Sequence, residues 1–315
     1  MRLSSLVPSI PANLVAALEA SGIRTEGDLL FSASTFDIYR RLPANIVTLQ
    51  ELIDYTAAVA ELCSAPGLSG RELYRLEELA LTKKFEFLSG NEELDTFLLG
   101  LGGKRVIEIS GDKGSGKSVL ALNLLLHCLR SSPDNTSLWI DTTGDFSSER
   151  VMRILGCKQI SETVLERMQV SLAFDIETAQ ALIEDLNQRN DIQLRLIVID
   201  SVTPLLGPLL SAISAQGHAV MTDFMQQLQS FSQRSGATVI VINNTASKGP
   251  DTQERKPALG PSFALMTDTT LWLQADQNTI HDGSVLHSIQ ILKSRSKPIG
   301  YSVTFRICNN AIYSP

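Results

Sequence analysis

Residues 109–123 read ISGDKGSGKSVLALN, and this stretch decides the fold. It holds Gly111, four variable positions, and then Gly116-Lys117-Ser118. Glycines at this spacing let backbone N–H groups converge on phosphate oxygens, a lysine here reaches the outer phosphates, and the serine hydroxyl ligates Mg²⁺. The motif requires a strand before it and a helix after it. RVIEIS (105–110) and SVLALNLLLHCL (118–129) supply both. The helix N-terminus adds positive potential beneath the phosphates. Gly111, Asp112, Lys113, Gly114, Ser115, Gly116, Lys117 and Ser118 therefore form a candidate site for ATP and Mg²⁺.

Outward from this loop, apolar strand-like runs alternate with helix-period segments from about residue 85 onward. The runs are RVIEIS, SLWID, MQVSLA, LRLIVID, ATVIVIN and TTLWLQ, and helical patterns cover 117–130, 147–156, 176–189 and 218–235. Nearly continuous apolar strands between helices predict a mostly parallel α/β sheet covered on both faces. LHSIQILKS and SVTFRIC have no helix between them and predict an antiparallel edge.

Residues 1–63 show only helical periodicity, with Leu14, Ala17, Leu18 and Ile23 on one face, and predict a small helical domain. They contain no glycine hairpin of the kind nucleic-acid-binding helical repeats use. Residues 64–84 open on SAPGLSG and read as a linker with a charged amphipathic stretch, which leaves 85–315 as the α/β core.

Two further strand ends supply chemistry. LRLIVID closes on Asp200, at the carboxyl edge where open α/β sheets place ligands. Asp200 is the candidate to hold Mg²⁺ through water. VIVINN ends on Asn243 and Asn244, and an amide there is placed to sense a terminal phosphate. A third end, LWIDTTGDF (138–146), carries Thr143, where a crevice that activates water calls for a carboxylate. Asp145 and Glu149 are near it, with Asp145 read as a helix cap.

Composition narrows the partners. The formal net charge of −7 excludes a surface-wide polyanion footprint, so nucleic-acid contact has to be local or come through a partner. The longest apolar stretch is too short to cross a bilayer. Cys63, Cys128, Cys157 and Cys308 form no CxxC pair and read as reduced thiols rather than a metal or disulfide framework.

With LSGNEELDTFLLG (88–100), MQVSLAFDI (168–176), IDSVTPLLGPLL (199–210), KPALGPSF (256–263) and LKSRSKPIGY (292–301) in this order, the chain resembles the RecA-like recombinase family. Within that family it resembles the D-type paralogues of the eukaryotic strand-exchange recombinase. The resemblance implies a RecA-like P-loop ATPase core behind a small helical domain. It also implies ATP and Mg²⁺ at Lys117, Ser118 and Asp200, with Asn244 where active recombinases carry a glutamine that couples ATP to a DNA loop. Lys293 and Arg295 fall where relatives reach a neighbouring protomer's nucleotide. Lys248, Arg255 and Lys256 fall in the second DNA loop. The implied role is that of a nuclear accessory protein of homologous recombination and double-strand break repair. It would join other recombinase paralogues in a hetero-oligomer and promote recombinase filaments on single-stranded DNA.

The departures sharpen this. Thr143 stands where strand-exchange recombinases carry a water-orienting glutamate, and threonine is no general base near neutral pH. The expectation is a weak, DNA-stimulated ATPase. Ser201–Gln233 contains no Lys or Arg, so DNA binding by the chain alone is expected to be weak. In this family a linker segment adds a strand to a neighbour's sheet, and GRELYRLEEL (70–79) is the candidate docking element, with Leu73, Tyr74 and Leu76 as anchors; the alternative reading of the stretch is an ordinary surface helix. The competing readings are an autonomous P-loop ATPase or kinase and a nucleotide-independent scaffold.

Overall fold

The structure, a computed structural model, describes residues 2–7, 9–64, 67–81, 87–156, 163–188, 194–210, 215–247, 254–281 and 283–315. The chain forms two compact units, Met1–Leu81 and Thr82–Pro315.

The first unit packs α1 (Ala12–Ala20), α2 (Glu26–Phe31), α3 (Thr35–Arg41) and α4 (Leu49–Cys63) around Leu3, Leu14, Leu18, Ile38, Leu52 and Val59. Short helices in water need their ends satisfied, and here side chains do it. Thr25 and Asp28 form a reciprocal capping box on α2, and Thr48 and Glu51 form one on α4. Each box is worth about 1 kcal/mol.

One expectation fails in this unit. α1 does end in a glycine hairpin: Gly22 sits at φ 86°, and the Ser21 and Ile23 amides donate back to Ala17 and Leu18 carbonyls. Only glycine takes that left-handed turn without strain, so Gly22 sets the entry into α2.

The stretch expected as a docking linker is helical. α5 (Gly70–Leu81) belongs to the first unit and starts at a capping pair in which Ser69 and Glu72 exchange hydrogen bonds. S-x-x-E at 69–72 is a sequence signature of a helix start. Leu73 and Tyr74 are 48% and 62% exposed on it, while the side chain of Leu76 lies outside the described residues.

The second unit opens with α6 (Glu92–Leu98) and then alternates: β1 (Val106–Gly111), α7 (Lys117–Ser131), β2 (Thr136–Asp141), α8 (Ser148–Leu155), β3 (Met168–Leu172), α9 (Ile176–Gln188) and β4 (Leu194–Asp200). α10 (Val202–Leu206), α11 (Ala215–Ser235) and β5 (Thr238–Asn243) follow. Then come a small hairpin of β6 (Thr245–Ser247) and β7 (Arg255–Pro257), α12 (Gly260–Met266), β8 (Thr269–His281), β9 (Ser284–Lys293), β10 (Ser302–Cys308) and β11 (Ala311–Tyr313).

The main sheet runs in the order β11-β10-β9-β8-β1-β5-β4-β2-β3, parallel from β8 to β3 and antiparallel from β8 to β11. The central strands β4 and β5 are mostly apolar because both of their faces are covered. Leu196 and Val198 of β4 point into a core with α7, and Ile197 and Ile199 point into a second core with α9 and α11. Their parallel direction brings Gly111, Asp141, Asp200 and Asn243 to one edge of the sheet.

Candidate nucleotide-binding site

A cleft of about 620 Å³ opens at that edge, lined by Lys113, Gly114, Lys117, Ser118, Thr143, Asp145, Asp200, Asn244 and Arg255 among others. Its size suits a nucleotide. Gly114 (φ 82°) and Gly116 (φ 92°) take backbone conformations that side chains disfavour, and the space beside Gly114 is open. The loop is wedged from behind. A Cβ on Gly111 would sit 2.2 Å from the Leu273 carbonyl, and one on Gly116 would meet Ile307 at 2.7 Å and His287 at 3.1 Å. The buried His287 donates from Nδ1 to the Ser115 carbonyl at 3.0 Å and stacks on Phe305. His287 is a supporting residue that the sequence reading missed, since only tertiary packing brings β9 under the loop.

Lys117 is 7% exposed, and its ammonium donates to the carbonyls of Gly111 and Asp112, both at 2.8 Å. Burial pushes its pKa below the ordinary lysine value, against the pull of Asp200 and Asp112. Burial raises the Asp200 carboxyl; the Ser118 hydroxyl bonded to it opposes the shift and the charges of Asp141 and Asp145 add to it. A desolvated carboxylate beside a hydroxyl is an oxygen donor pair suited to Mg²⁺. The Ser115 hydroxyl is buried without a hydrogen-bond partner among the described residues. An open glycine cradle, a held ammonium and this oxygen pair fit a Mg²⁺–triphosphate.

Asp141 faces the other way. Burial would raise its pKa, but the amides of Thr143, Phe146 and Gly144 together hold it below the ordinary value. Thr142 bridges neighbouring strands: its hydroxyl donates to the Ser201 carbonyl and accepts from the Ser201 amide, both at 2.8 Å. The cap of α8 is Ser147, whose hydroxyl accepts from the Arg150 amide, and not Asp145 as the sequence suggested. Glu149 pairs with Arg153 on the outside of α8.

At the end of β5 the two asparagines part. Asn243 is fully buried and donates to Glu108 at 2.7 Å and to the Ala258 carbonyl at 2.9 Å. Glu108, buried in the middle of β1, also accepts from Ser110 and Thr270. Asn244 lies in the cleft, with its backbone N–H donating to the Thr203 hydroxyl.

The expected DNA-loop and interface residues differ in their surroundings. Arg255 turns back onto the phosphate loop, donating to Asp112 and Thr245. Lys256 is exposed on β7, and Lys248 lies outside the described residues. The Lys293 ammonium donates to the Ala264 and Thr267 carbonyls at the end of α12, where unpaired carbonyls attract a cation. Arg295 is exposed, 3.5 Å from Asp268. In this chain Lys293 is thus engaged as a helix-end partner. Among the described residues Cys63, Cys128 and Cys308 are free thiols.

Comparison with known proteins places these features in a lineage. The Rad51 family profile matches residues 82–294. The chain is 28% identical over 313 residues to the DNA repair protein RAD51 homolog 4 of Bos taurus, covering 96% of this chain and 93% of that protein. It is 27% identical over 309 residues to the Mus musculus protein of the same name, covering 94% and 91%. A probable counterpart in Dictyostelium discoideum is 22% identical over 86% of this chain and 87% of its own. Among solved structures, that of the RadB recombinase superposes with a TM-score of 0.59 at 23% identity, over 72% of this chain and 98% of its own. The likeness shows a RecA-like α/β fold with a mostly parallel sheet.

Proposed function

Since the chain belongs to the Rad51 family, we propose that it is an ATP-binding accessory protein of homologous recombination, of the D type, acting in DNA double-strand break repair. The observation that carries this reading is the convergence of Lys117, Ser118 and Asp200 in one cleft where Thr143 replaces the family's glutamate. Lys117 and the loop amides would hold the phosphates, and Ser118 and Asp200 would hold Mg²⁺. When bound, Mg²⁺–ATP supplies a phosphoanhydride whose charge is spread over these donors. Thr143 offers no basic group, so the chain holds nucleotide longer than a fast ATPase would, and ATP acts as an assembly switch.

The proposed partners are other recombinase paralogues, and through them the recombinase filament on single-stranded DNA in the nucleus. Two surfaces support association. β3 is an outer strand of the sheet with Val170 42% and Leu172 55% exposed, and an apolar edge strand is a template for pairing. Leu73 and Tyr74 are bare on α5. Direct DNA contact is limited, because Arg255 is already engaged with the phosphate loop. No helix among the described residues is long and apolar enough to cross a membrane.

Affinity purification of the chain from its native cells, with mass spectrometry and radiolabelled ATP binding on the purified material, tests the reading. Recombinase paralogues and retained ATP are expected. Recovery without paralogues would defeat the accessory role, and absent ATP binding would favour a nucleotide-independent scaffold.

A further inference from the structure

The loop after β2 holds a carboxylate that neither the fold nor the capping of α8 uses. Asp145 lines the cleft beside Lys117, Ser118, Thr143 and Asp200, and makes no hydrogen bond or ion pair among the described residues. Its neighbours on both sides are fixed. Asp141 Oδ1 accepts from the amides of Thr143 and Gly144, each at 2.9 Å, and Oδ2 accepts from the Phe146 amide at 2.9 Å. The Phe146 ring rests 5.8 Å from Trp139, anchoring the far side of the turn. Gly144 at φ 80° permits the turn itself. The Thr143 hydroxyl leans toward Asp141 at 3.3 Å, away from a role of its own on water. The turn fixes the place from which this exposed carboxylate enters the cleft, and leaves its oxygens unengaged and open to a water there. Its charge reaches the metal-side carboxylate: after burial and Asp141, Asp145 contributes to raising Asp200.

We infer that Asp145 is the carboxylate that polarises the attacking water in this chain, two positions beyond the threonine that replaces the family's glutamate. The inference rests on the reading that the cleft binds Mg²⁺–ATP. The water oxygen forms a bond to the terminal phosphorus as the bond from that phosphorus to its bridging oxygen breaks. ADP leaves with the electron pair, and the water proton passes to Asp145 and then to solvent, giving ADP and inorganic phosphate. Asp145 is one methylene shorter than a glutamate and comes from a shifted place on the loop, so the expected turnover is slow without being absent.

The test uses the full-length chain, purified with its partners, and the variants Asp145→Asn, Asp145→Glu and Thr143→Ala. Single-turnover ATP hydrolysis is measured beside the affinity for a non-hydrolysable ATP analogue and for ADP with aluminium fluoride, which mimics the terminal phosphoryl with its attacking water. Asp145→Asn is expected to slow hydrolysis by about 100-fold or more while analogue affinity stays within about twofold. It should also lose the preference for ADP–aluminium fluoride over ADP. Asp145→Glu should restore most of the rate, and Thr143→Ala should keep it. Unchanged hydrolysis in Asp145→Asn, or a wild type that binds ATP without ever hydrolysing it, overturns this inference alone. A wild type that binds no ATP overturns the nucleotide reading as well.

Discussion

Arg255 Nε lies 3.1 Å from Asp112 Oδ1, with the Thr245 hydroxyl donating to the same oxygen at 2.5 Å, so the phosphate loop is latched to the β6–β7 hairpin. The Thr245 hydroxyl first, then the Arg255 guanidinium, hold the Asp112 carboxyl below its ordinary range. Both partners of the ion pair are about half exposed, at 46% and 54%, so solvent screens it. A double-mutant cycle of Asp112→Asn and Arg255→Ala in urea denaturation should give a coupling below about 1 kcal/mol. The latch is then a positional device on the route from nucleotide to hairpin. A coupling of several kcal/mol would instead make it a structural pillar.

Lys117 is placed to hold phosphate, so its loss should uncouple stability from nucleotide. A ligand at a hundred times its Kd stabilises by about 2.7 kcal/mol, which for a folding unit of this size is about 5–10 °C in Tm. Thermal denaturation with Mg²⁺–ATP should show such a shift in the wild type and none in Lys117→Ala. An equal shift in both would remove Lys117 from the site.

The rings of His127 and His287 are held below the ordinary histidine value of 6.5, in each case chiefly by burial. Their folded state therefore binds fewer protons than the unfolded chain in the range below 6.5. The stability they support is fully present above pH 6.5 and is lost as pH falls through their depressed folded values. Urea midpoints should decline on acidification from about pH 6.5, and His287→Gln should flatten part of that decline. A decline that starts only in the carboxylate range would show that neither ring is linked to folding.

The network at the end of β5 predicts a large, local cost. Asn243→Ala would leave Glu108 short of a donor and the Ala258 carbonyl without its side-chain donor in the interior, and would remove the acceptor of the part-buried Thr203 hydroxyl, which keeps its bond from the Asn244 backbone amide. Stranding buried polar groups costs about 1–3 kcal/mol each, so a loss of several kcal/mol is expected in chemical denaturation. Asn244→Ala, in the open cleft, should cost under about 0.5 kcal/mol. Equal effects at the two positions would contradict the division of labour between them.

How much of this was readable in the residues follows from the range of the forces involved. The strands and the phosphate loop were legible because two-sided burial writes itself as unbroken apolar runs, and the loop's chemistry is contiguous from Gly111 to Ser118. Asp145 was misread because an acidic residue just before a helix satisfies a capping pattern, and only the structure shows Ser147 taking that place. Arg255 and Lys293 looked like free basic residues because their partners are distant: Asp112 is 143 residues from Arg255, and Ala264 is 29 from Lys293. Glu108 could have been flagged as a lone charge inside an apolar strand, but nothing local identifies Asn243 as its partner. The helical course of α5, one of the two readings the residues allow, has a local signature in the capping pair of Ser69 and Glu72.

Thr143 is where the fold's chemistry can be pushed back toward a fast enzyme. Its amide is bonded to Asp141, which fixes the backbone whatever the side chain is, so Thr143→Glu should preserve the turn. A glutamate there enters a cleft that already contains Asp145 and Asp200, and its charge would raise Asp200 further and weaken Mg²⁺ binding at low metal. At saturating Mg²⁺ a well-placed general base is worth about 10²–10⁴ in rate, and the crowding of carboxylates trims that to about tenfold for this variant. Steady-state hydrolysis across a Mg²⁺ titration reads both effects, a higher plateau and a rightward midpoint. A plateau no higher than wild type would mean that water does not reach position 143. Slow turnover, if hydrolysis of the wild type is found to be slow, would then reflect the geometry of the whole loop and not the loss of one carboxylate.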